Sequence, residues 1–169
     1  MINLLDYKIK NQFDAVCNGK TNKELVLFCV GNSKIWYDGF GPRFADEARK
    51  LGLNCFVYGG SEFSIIPENL LDYMDFVERK HPSAIVVVVD NCLNVSHQHK
   101  FDIEIKKTAA VPAGLINKKS FGNISILLKT SPLLDYVSYF KFEQCVIQKL
   151  IKKLQMHINK MQKNALLMA

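Results

Sequence analysis

The 169-residue sequence predicts a single α/β domain over residues 1–169, with three layers in which a mostly parallel sheet is flanked by helices. Three observations lead to this prediction. Segments with strand and helix periodicity alternate from residue 25 to residue 89, which is the pattern of an open parallel sheet. The apolar runs are continuous rather than alternating, as in strands that are buried on both faces. The length is sufficient for one domain with a full hydrophobic core.

The first two predicted strands enclose a short helix. Residues 25–30 (LVLFCV) and 54–59 (NCFVYG) are apolar runs of strand length. Residues 39–51 between them are predicted to form a helix that stops at Gly52, because glycine is common just after a helix. The inward face of this helix would carry residues at three- and four-residue spacing, namely Phe40, Phe44, Ala48 and Leu51.

A second helix and a third strand follow. Residues 67–80 begin with Pro67, which is favoured in a first helical turn, and the His81-Pro82 pair ends the segment. Residues 84–89 (AIVVVV) are the clearest strand, because consecutive β-branched residues favour a buried, extended backbone. The predicted inward residues of the second helix are Leu70, Leu71, Met74 and Val77.

The second half of the chain has a different character. Residues 101–107 alternate apolar and polar side chains, as a half-exposed strand does, and residues 123–129 (NISILLK) form a further strand. Residues 136–162 have helical periodicity, and we expect their apolar stripe to close the core. The stripe consists of Val137, Phe140, Val146, Ile147, Leu150, Ile151, Leu154, Ile158 and Met161.

The composition is that of a globular protein, with 49% hydrophobic and 22% charged residues. No apolar run approaches the ~20 residues of a membrane span, and the N-terminal segment does not read as a signal peptide. The 5 cysteines are odd in number and lack CxxC spacing, which favours free thiols in a reducing compartment. We therefore expect a cytoplasmic protein with no membrane partner.

The charge is unevenly distributed. Residues 31–96 contain 6 basic residues (Lys and Arg) and 9 acidic residues (Asp and Glu). Residues 97–169 contain 12 basic and 4 acidic residues. The basic half could be solvated surface, or it could face an acidic protein, a peptide or a nucleic acid. A nucleic-acid partner is disfavoured, because this half has no arginine and no motif of stacking aromatic residues.

Two aspartates follow apolar strands and form a candidate active site. Asp38 lies in the loop after the first strand, and Asp90 terminates the valine-rich third strand. If the first strand lies between the second and third, as in one common order for such sheets, a crevice opens above the carboxyl ends of strands one and three. Both carboxylates would then point into the crevice where such folds bind ligands.

Two nearby carboxyl groups support two kinds of chemistry. They can share a proton, so that one activates a water molecule while the other polarises a carbonyl. Alternatively, they can bind a divalent metal ion with a third ligand, for which His97 or His99 is available. The structural alternative is that Asp38 caps the helix that opens at Gly39 and that Asp90 binds loop amides.

Other residues of the same loop are candidates for substrate binding. Asn32 could orient a substrate carbonyl or the Asp38 carboxylate, and the backbone from Gly39 to Gly41 could help to place the scissile carbonyl. Trp36 could line the mouth of the crevice. The glycine pair lacks the third glycine of a dinucleotide-binding loop, so no nucleotide cofactor is expected.

Three segments resemble a known group of proteases. Residues 31–53 (GNSKIWYDGFGPRFADEARKLGL) are similar to the first signature of the hydrogenase-maturation endopeptidases, and to the germination proteases of spore-forming bacteria and their small sporulation-associated relatives. Residues 84–93 (AIVVVVDNCL) are similar to the second signature, an apolar strand that ends in Asp. Residues 111–126 (VPAGLINKKSFGNISI) resemble the proline-glycine loop and the next strand of the small sporulation-associated relatives. The likeness covers roughly residues 25–130.

The resemblance implies a phosphorylase/hydrolase-like fold and endopeptidase ancestry. In the germination-protease pattern, Asp38 and Asp90 would be the catalytic pair. In the hydrogenase-maturation pattern, they would be two of three metal-contacting residues, and the third would be a histidine well downstream. The chain has no histidine between His99 and His157, so the comparison favours the sporulation-type branch.

The leading hypothesis is therefore an endopeptidase that acts on a specific protein substrate in a bacterial cytoplasm through Asp38 and Asp90. The competing hypothesis is a catalytically inactive relative that serves as a protein-binding or scaffold module, with its basic half as the contact surface. A third hypothesis is a metalloprotein that uses the two acids with His97 or His99. The sequence does not identify the substrate or the oligomeric state.

Overall fold

The structure, a computed structural model, describes residues 6–7, 11, 24–93, 101–111, 120–130 and 135–168. Within these residues, five strands form one sheet in the order β2–β1–β3–β5–β4. The strands in chain order are β1 (Leu25–Cys29), β2 (Phe56–Tyr58), β3 (Ile85–Leu93), β4 (Phe101–Lys106) and β5 (Ile124–Thr130).

The sheet is mostly parallel. β1 pairs in parallel with both β2 and β3, β5 adds in parallel to β3, and β4 pairs antiparallel with β5 at the edge. The strand order on which the predicted site depends, with the first strand between the second and third, is therefore confirmed. The connections leave β1 in opposite directions, so the carboxyl ends of β1 and β3 form the topological switch point at which such sheets commonly bind ligands.

Three α-helices and a short 3₁₀ helix cover the sheet in the described part of the chain. Helices α1 (Phe40–Lys50) and α3 (Tyr136–Met168) pack against one face, and α2 (Leu70–Lys80) packs against the other. The 3₁₀ helix, Trp36–Asp38, lies between β1 and α1. The result is the three-layer α/β fold that the sequence predicts.

Three residues predicted to face the core are exposed. Leu51 is 53% exposed because it follows the last turn of α1, whose cap it forms. Leu71 is 48% exposed because successive helix residues point about 100° apart, and the neighbouring Leu70 occupies the buried position. Val137 is 57% exposed and lies in the first turn of α3. The second helix also begins at residue 70 rather than at residue 67, after a turn.

Strand β3 is longer than predicted. It extends to Leu93 rather than to residue 89, because β5 runs beside it over the added residues. Asp90 therefore lies within β3, opposite Leu127, and the prediction that it ends the strand is wrong. In contrast, β1 ends at Cys29, opposite Val89. Asp90 is thus the first residue of β3 beyond the end of β1, at the carboxyl edge of the sheet.

Candidate active site

The loop after β1 folds back tightly on itself. Gly31 has a φ of 135°, and a Cβ at this position would lie 2.1 Å from the carbonyl oxygen of Asp38. Glycine alone tolerates both this backbone conformation and this close approach. The loop thereby brings the 3₁₀ helix, with Asp38 at its end, back to the carboxyl end of β1.

The half-buried carboxylate of Asp38 holds this loop closed. Its Oδ2 accepts a hydrogen bond from the backbone N–H of Asn32 at 2.8 Å. Partial burial raises the pKa of Asp38, while the Asn32 N–H and the positive charge of Arg43 act in the opposite direction. Asp38 does not cap α1, because the N-cap is Gly39 and the Asp38 carboxylate accepts its hydrogen bond from Asn32 instead.

Of the two aspartates of the site, Asp90 has the more strongly shifted pKa. Its side chain is buried, with 7% of the residue exposed, and its Oδ1 accepts a hydrogen bond from the backbone N–H of Asn91 at 2.7 Å. Burial raises the pKa of Asp90 to about 8, and the negative charge of Asp38 adds to this shift, while the Asn91 N–H opposes it. Asp90 is therefore protonated at neutral pH.

The electrostatics of the two aspartates are coupled. The charge of Asp38 opposes the ionisation of Asp90, so the two carboxyl groups titrate in sequence, with Asp38 first. The 3₁₀ helix that carries Asp38 contacts β3, which carries Asp90. The pair can therefore present one ionised and one protonated carboxyl group at the same edge of the sheet.

Helix α1 begins directly on the ends of β1 and β3. A Cβ at Gly41 would lie 2.1 Å from the carbonyl oxygen of Val30 and 2.8 Å from that of Val89, so only glycine allows this packing. The first N–H of the helix, that of Phe40, donates to Oδ1 of Asn91 at 2.9 Å. Asn91, the residue after Asp90, therefore fixes the start of α1, the helix that follows Asp38 in the chain.

A buried polar network extends from Asn91 to α3. The Nδ2 of Asn91 donates to the Tyr139 hydroxyl at 3.4 Å, and this hydroxyl donates to Oε1 of Glu143 at 2.8 Å. Glu143 is fully buried and forms a bidentate ion pair with Arg43, at 2.7 Å from Nε and 2.8 Å from Nη2. Arg43 also donates to the carbonyl oxygen of Trp36 at 2.8 Å, which returns the network to the 3₁₀ helix.

The indole ring of Trp36 packs against the start of α3. It makes edge contacts with the rings of Tyr37, Tyr136 and Tyr139, at centroid distances of 5.3, 5.9 and 5.2 Å. The residue is half-buried. Trp36 therefore forms an aromatic wall between the 3₁₀ helix and α3, beside the loop that carries Asp38.

Four residues of this network were not among the candidates predicted from the sequence, namely Arg43, Asn91, Tyr139 and Glu143. One signal was available, because Glu143 is the one acid among the residues of α3 and falls within an apolar stripe. A lone carboxylate on a buried face indicates a paired partner. The partner, Arg43, is 100 residues away in the chain, so no local pattern points to it.

The remaining predictions concern metal ions and membranes. His97 and His99 lie outside the described residues, so the proposed third metal ligand has no described position. Over the described ranges, no group of three His, Cys, Asp or Glu side chains is arranged to hold a metal ion. In the same part of the chain, none of the helices combines the length and the apolar character that crossing a membrane requires.

The fold and the site define an α/β protein with two coupled aspartates at the carboxyl edge of a parallel sheet. The chain belongs to the family described as "Protein of unknown function (DUF1256)", which matches residues 1–161. No curated protein matches the sequence.

Among solved structures, the fold is similar to that titled as the crystal structure of a NiFe hydrogenase maturation protease HycI from Thermococcus kodakarensis KOD1. The identity is 15% and the TM-score is 0.47, and the match covers 82% of this chain and 97% of that chain. Because one fold can carry unrelated activities, function has to be inferred from the site itself.

Proposed function

We propose that the protein is an endopeptidase that hydrolyses a specific protein substrate with Asp38 and Asp90, and that it belongs with the sporulation-associated relatives its motifs resemble. The observation that carries the proposal is that two carboxyl groups of unequal burial lie at the same edge of the sheet. Asp90 is buried and protonated at neutral pH, whereas the more accessible Asp38 ionises first. Two carboxyl groups held in opposite protonation states are the arrangement that general acid–base hydrolysis requires.

The two aspartates would divide the reaction between them. The carboxylate of Asp38 takes a proton from a water molecule as the water oxygen attacks the scissile carbonyl carbon. The carboxyl group of Asp90 gives its proton to the carbonyl oxygen. When the C–N bond breaks, the proton on Asp38 passes to the leaving amine, and the proton from the intermediate's hydroxyl returns to Asp90. Both carboxyl groups are then restored.

The neighbouring residues would position these groups and the substrate. The Asn32 N–H fixes the rotamer of Asp38 through its hydrogen bond to Oδ2. The backbone from Gly39 to Gly41 lies at the start of α1, against the ends of β1 and β3, and would help to place the scissile carbonyl. Trp36 would contact the peptide from the aromatic wall beside Asp38.

The test is cleavage of a peptide library prepared from a digested bacterial proteome, with new amino termini identified by mass spectrometry. We expect a recurrent cleavage motif for the wild type, and Asp38→Asn and Asp90→Asn should each lower its rate by at least about 10²-fold. Asp72→Asn on α2 is the matched control, because it neutralises an exposed aspartate on the opposite face of the sheet. An unchanged rate in either active-site variant contradicts the mechanism.

The pH profile and metal dependence separate the proposed chemistry from its alternatives. The rate should fall above about pH 8, where Asp90 loses its proton. Dialysis against EDTA should leave the rate unchanged. A loss of the cleavage rate that added divalent ions reverse would instead support the metal hypothesis with His97 or His99.

A protein-binding module without turnover is the second candidate function. It is favoured by the low exposure of Asp90, which restricts access of a substrate to its carboxyl group, and by the packing of the Trp36 ring against α3. A folded wild-type protein that yields no new termini between about pH 5 and pH 9, a range that brackets the titration of Asp90, would favour this function over the endopeptidase.

A further inference from the structure

The exposed surface of α3 is segregated by charge. Helix α3 carries six lysines and a single acid, Glu143, which is buried and paired with Arg43. Four of the lysines are exposed and two are half-exposed. The six are Lys141, Lys149, Lys152, Lys153, Lys160 and Lys163, and we call them the lysine stripe.

The helical geometry places the lysine stripe along one side of α3. At 100° per residue, all six lysines fall within an arc of about 120°, and at 1.5 Å per residue they extend over about 33 Å. The adjacent flank of the helix carries uncharged amides instead. These are Gln144, Gln148, Gln155 and Gln162, which cluster within an arc of about 40°.

This arrangement is unfavourable for an isolated helix. Lys149 lies three residues before Lys152 and four before Lys153, and like charges at these spacings repel each other. A solvated helix face is usually stabilised by interleaved acids at the same spacings, and α3 has none on its exposed face. The ion pair of Lys149 with Asp6 relieves only part of this repulsion.

We propose that the lysine stripe is a docking surface for an acidic helix of a partner protein. The charge and length of the stripe match a helix of about 22 residues with carboxylates along one side. Lysine–carboxylate pairs of this kind flank the contacts between neighbouring helices. Met156 lies between the lysines and is 64% exposed, so it supplies an apolar contact at the centre of the surface.

Two other polyanions fit the stripe less well. Nucleic-acid surfaces commonly use arginine and stacking aromatic residues, and α3 has no arginine, while its stripe has no fully exposed aromatic side chain. A membrane-surface helix inserts its apolar face into lipid, whereas the apolar face of α3 is packed against the sheet. None of the six lysines belongs to the aspartate site, so the proposal does not depend on catalysis.

The test is fluorescence anisotropy with a labelled 22-residue helical peptide that carries glutamates along one side. We expect binding to the wild type that weakens between 50 and 150 mM NaCl, roughly the range over which screening increases strongly. The triple variant Lys152→Gln/Lys160→Gln/Lys163→Gln should weaken binding at least tenfold. The control Lys50→Gln/Lys80→Gln/Lys107→Gln makes the same change in net charge with exposed lysines outside α3, and it should weaken binding less than twofold.

Equal weakening by the two triple variants would overturn the proposal, because net charge alone would then explain binding. Tighter binding of a 22-base-pair DNA duplex, or of vesicles containing phosphatidylserine, that is lost in the stripe variant would also overturn it. So would a wild-type oligomer in sedimentation experiments that the stripe variant dissociates, because the partner would then be a second copy of the chain.

Discussion

Two buried carboxyl groups in this protein, those of Asp90 and Glu143, are neutralised in different ways. Glu143 is fully buried and receives a bidentate ion pair from Arg43 and a hydrogen bond from Tyr139. Asp90 accepts one hydrogen bond from the neighbouring Asn91 N–H, and burial raises its pKa to about 8. A cation therefore neutralises the first carboxyl group, and a proton neutralises the second.

The difference separates a structural acid from a candidate reactive one. The Glu143 carboxylate is held by the Arg43 guanidinium, and this ion pair joins α3 to α1. A carboxyl group held neutral by burial can release its proton within the physiological range and take it back. The negative charge of Asp38 contributes to the raised pKa of Asp90, so the proton of Asp90 responds to the other acid of the site.

The largest expected effect is a pH-dependent cost of Asp90 to stability. The folded protein keeps the Asp90 proton up to about pH 8, whereas the unfolded chain loses it near the ordinary pKa of 3.8. The free energy of unfolding should therefore fall as the pH rises through this window, by a total on the order of 5 kcal/mol. Asp90→Asn removes this contribution, so its advantage over the wild type should grow from near zero at pH 4 to its full value above pH 8.

Urea denaturation at four pH values between 4 and 9, a range chosen to bracket both pKa values, measures this difference. Asp72→Asn serves as the control. Its free energy of unfolding should change with pH as that of the wild type does, because Asp72 lies exposed on α2. If the free energy of unfolding changed with pH in the same way for Asp90→Asn and the wild type, Asp90 would ionise normally. The contrast with Glu143 would then disappear.

The second effect concerns the ion pair of Glu143. Arg43→Met should destabilise the protein by about 3–5 kcal/mol, because it leaves a buried carboxylate without its cation. The double variant Arg43→Met/Glu143→Gln should recover much of this loss, since it removes the uncompensated charge. Lys50→Met breaks an exposed pair with Glu47 and should cost no more than about 1 kcal/mol. A similar cost for Arg43→Met and Lys50→Met would contradict the structural role of the buried pair.

The sequence predicted the frame of the fold because each main element has a local pattern. The continuous apolar run of β1, the helical spacing of α1 and the valines of β3 are all readable within a window of about ten residues. The strand order was a common topology for such a sheet, and it placed the loop of Asp38 beside Asp90. That juxtaposition could therefore be predicted without coordinates.

The chemistry of the site was less predictable because it depends on distant residues. The position of Asp90 within β3 follows from the length of β5. The last residues of β5, from Leu127 to Thr130, pair with β3 from Asp90 to Leu93. Its raised pKa follows from burial, which no sequence window reports. The ion pair of Glu143 with Arg43 joins residues 100 positions apart, and the link through Asn91 requires the start of α1 to rest on β3.

The smallest effect tests the coupling within the aspartate pair. Asp38→Asn removes the negative charge that opposes ionisation of Asp90, so the pKa of Asp90 should fall below about 8. It should stay well above 3.8, because burial is the larger cause of the shift. Carbon-13 NMR titration of labelled aspartate carboxyl groups measures the change, with Asp72→Asn as the control that leaves the Asp90 midpoint in place. An unchanged midpoint in Asp38→Asn would mean that the two acids titrate independently, and the division of acid and base roles between them would lose its physical basis.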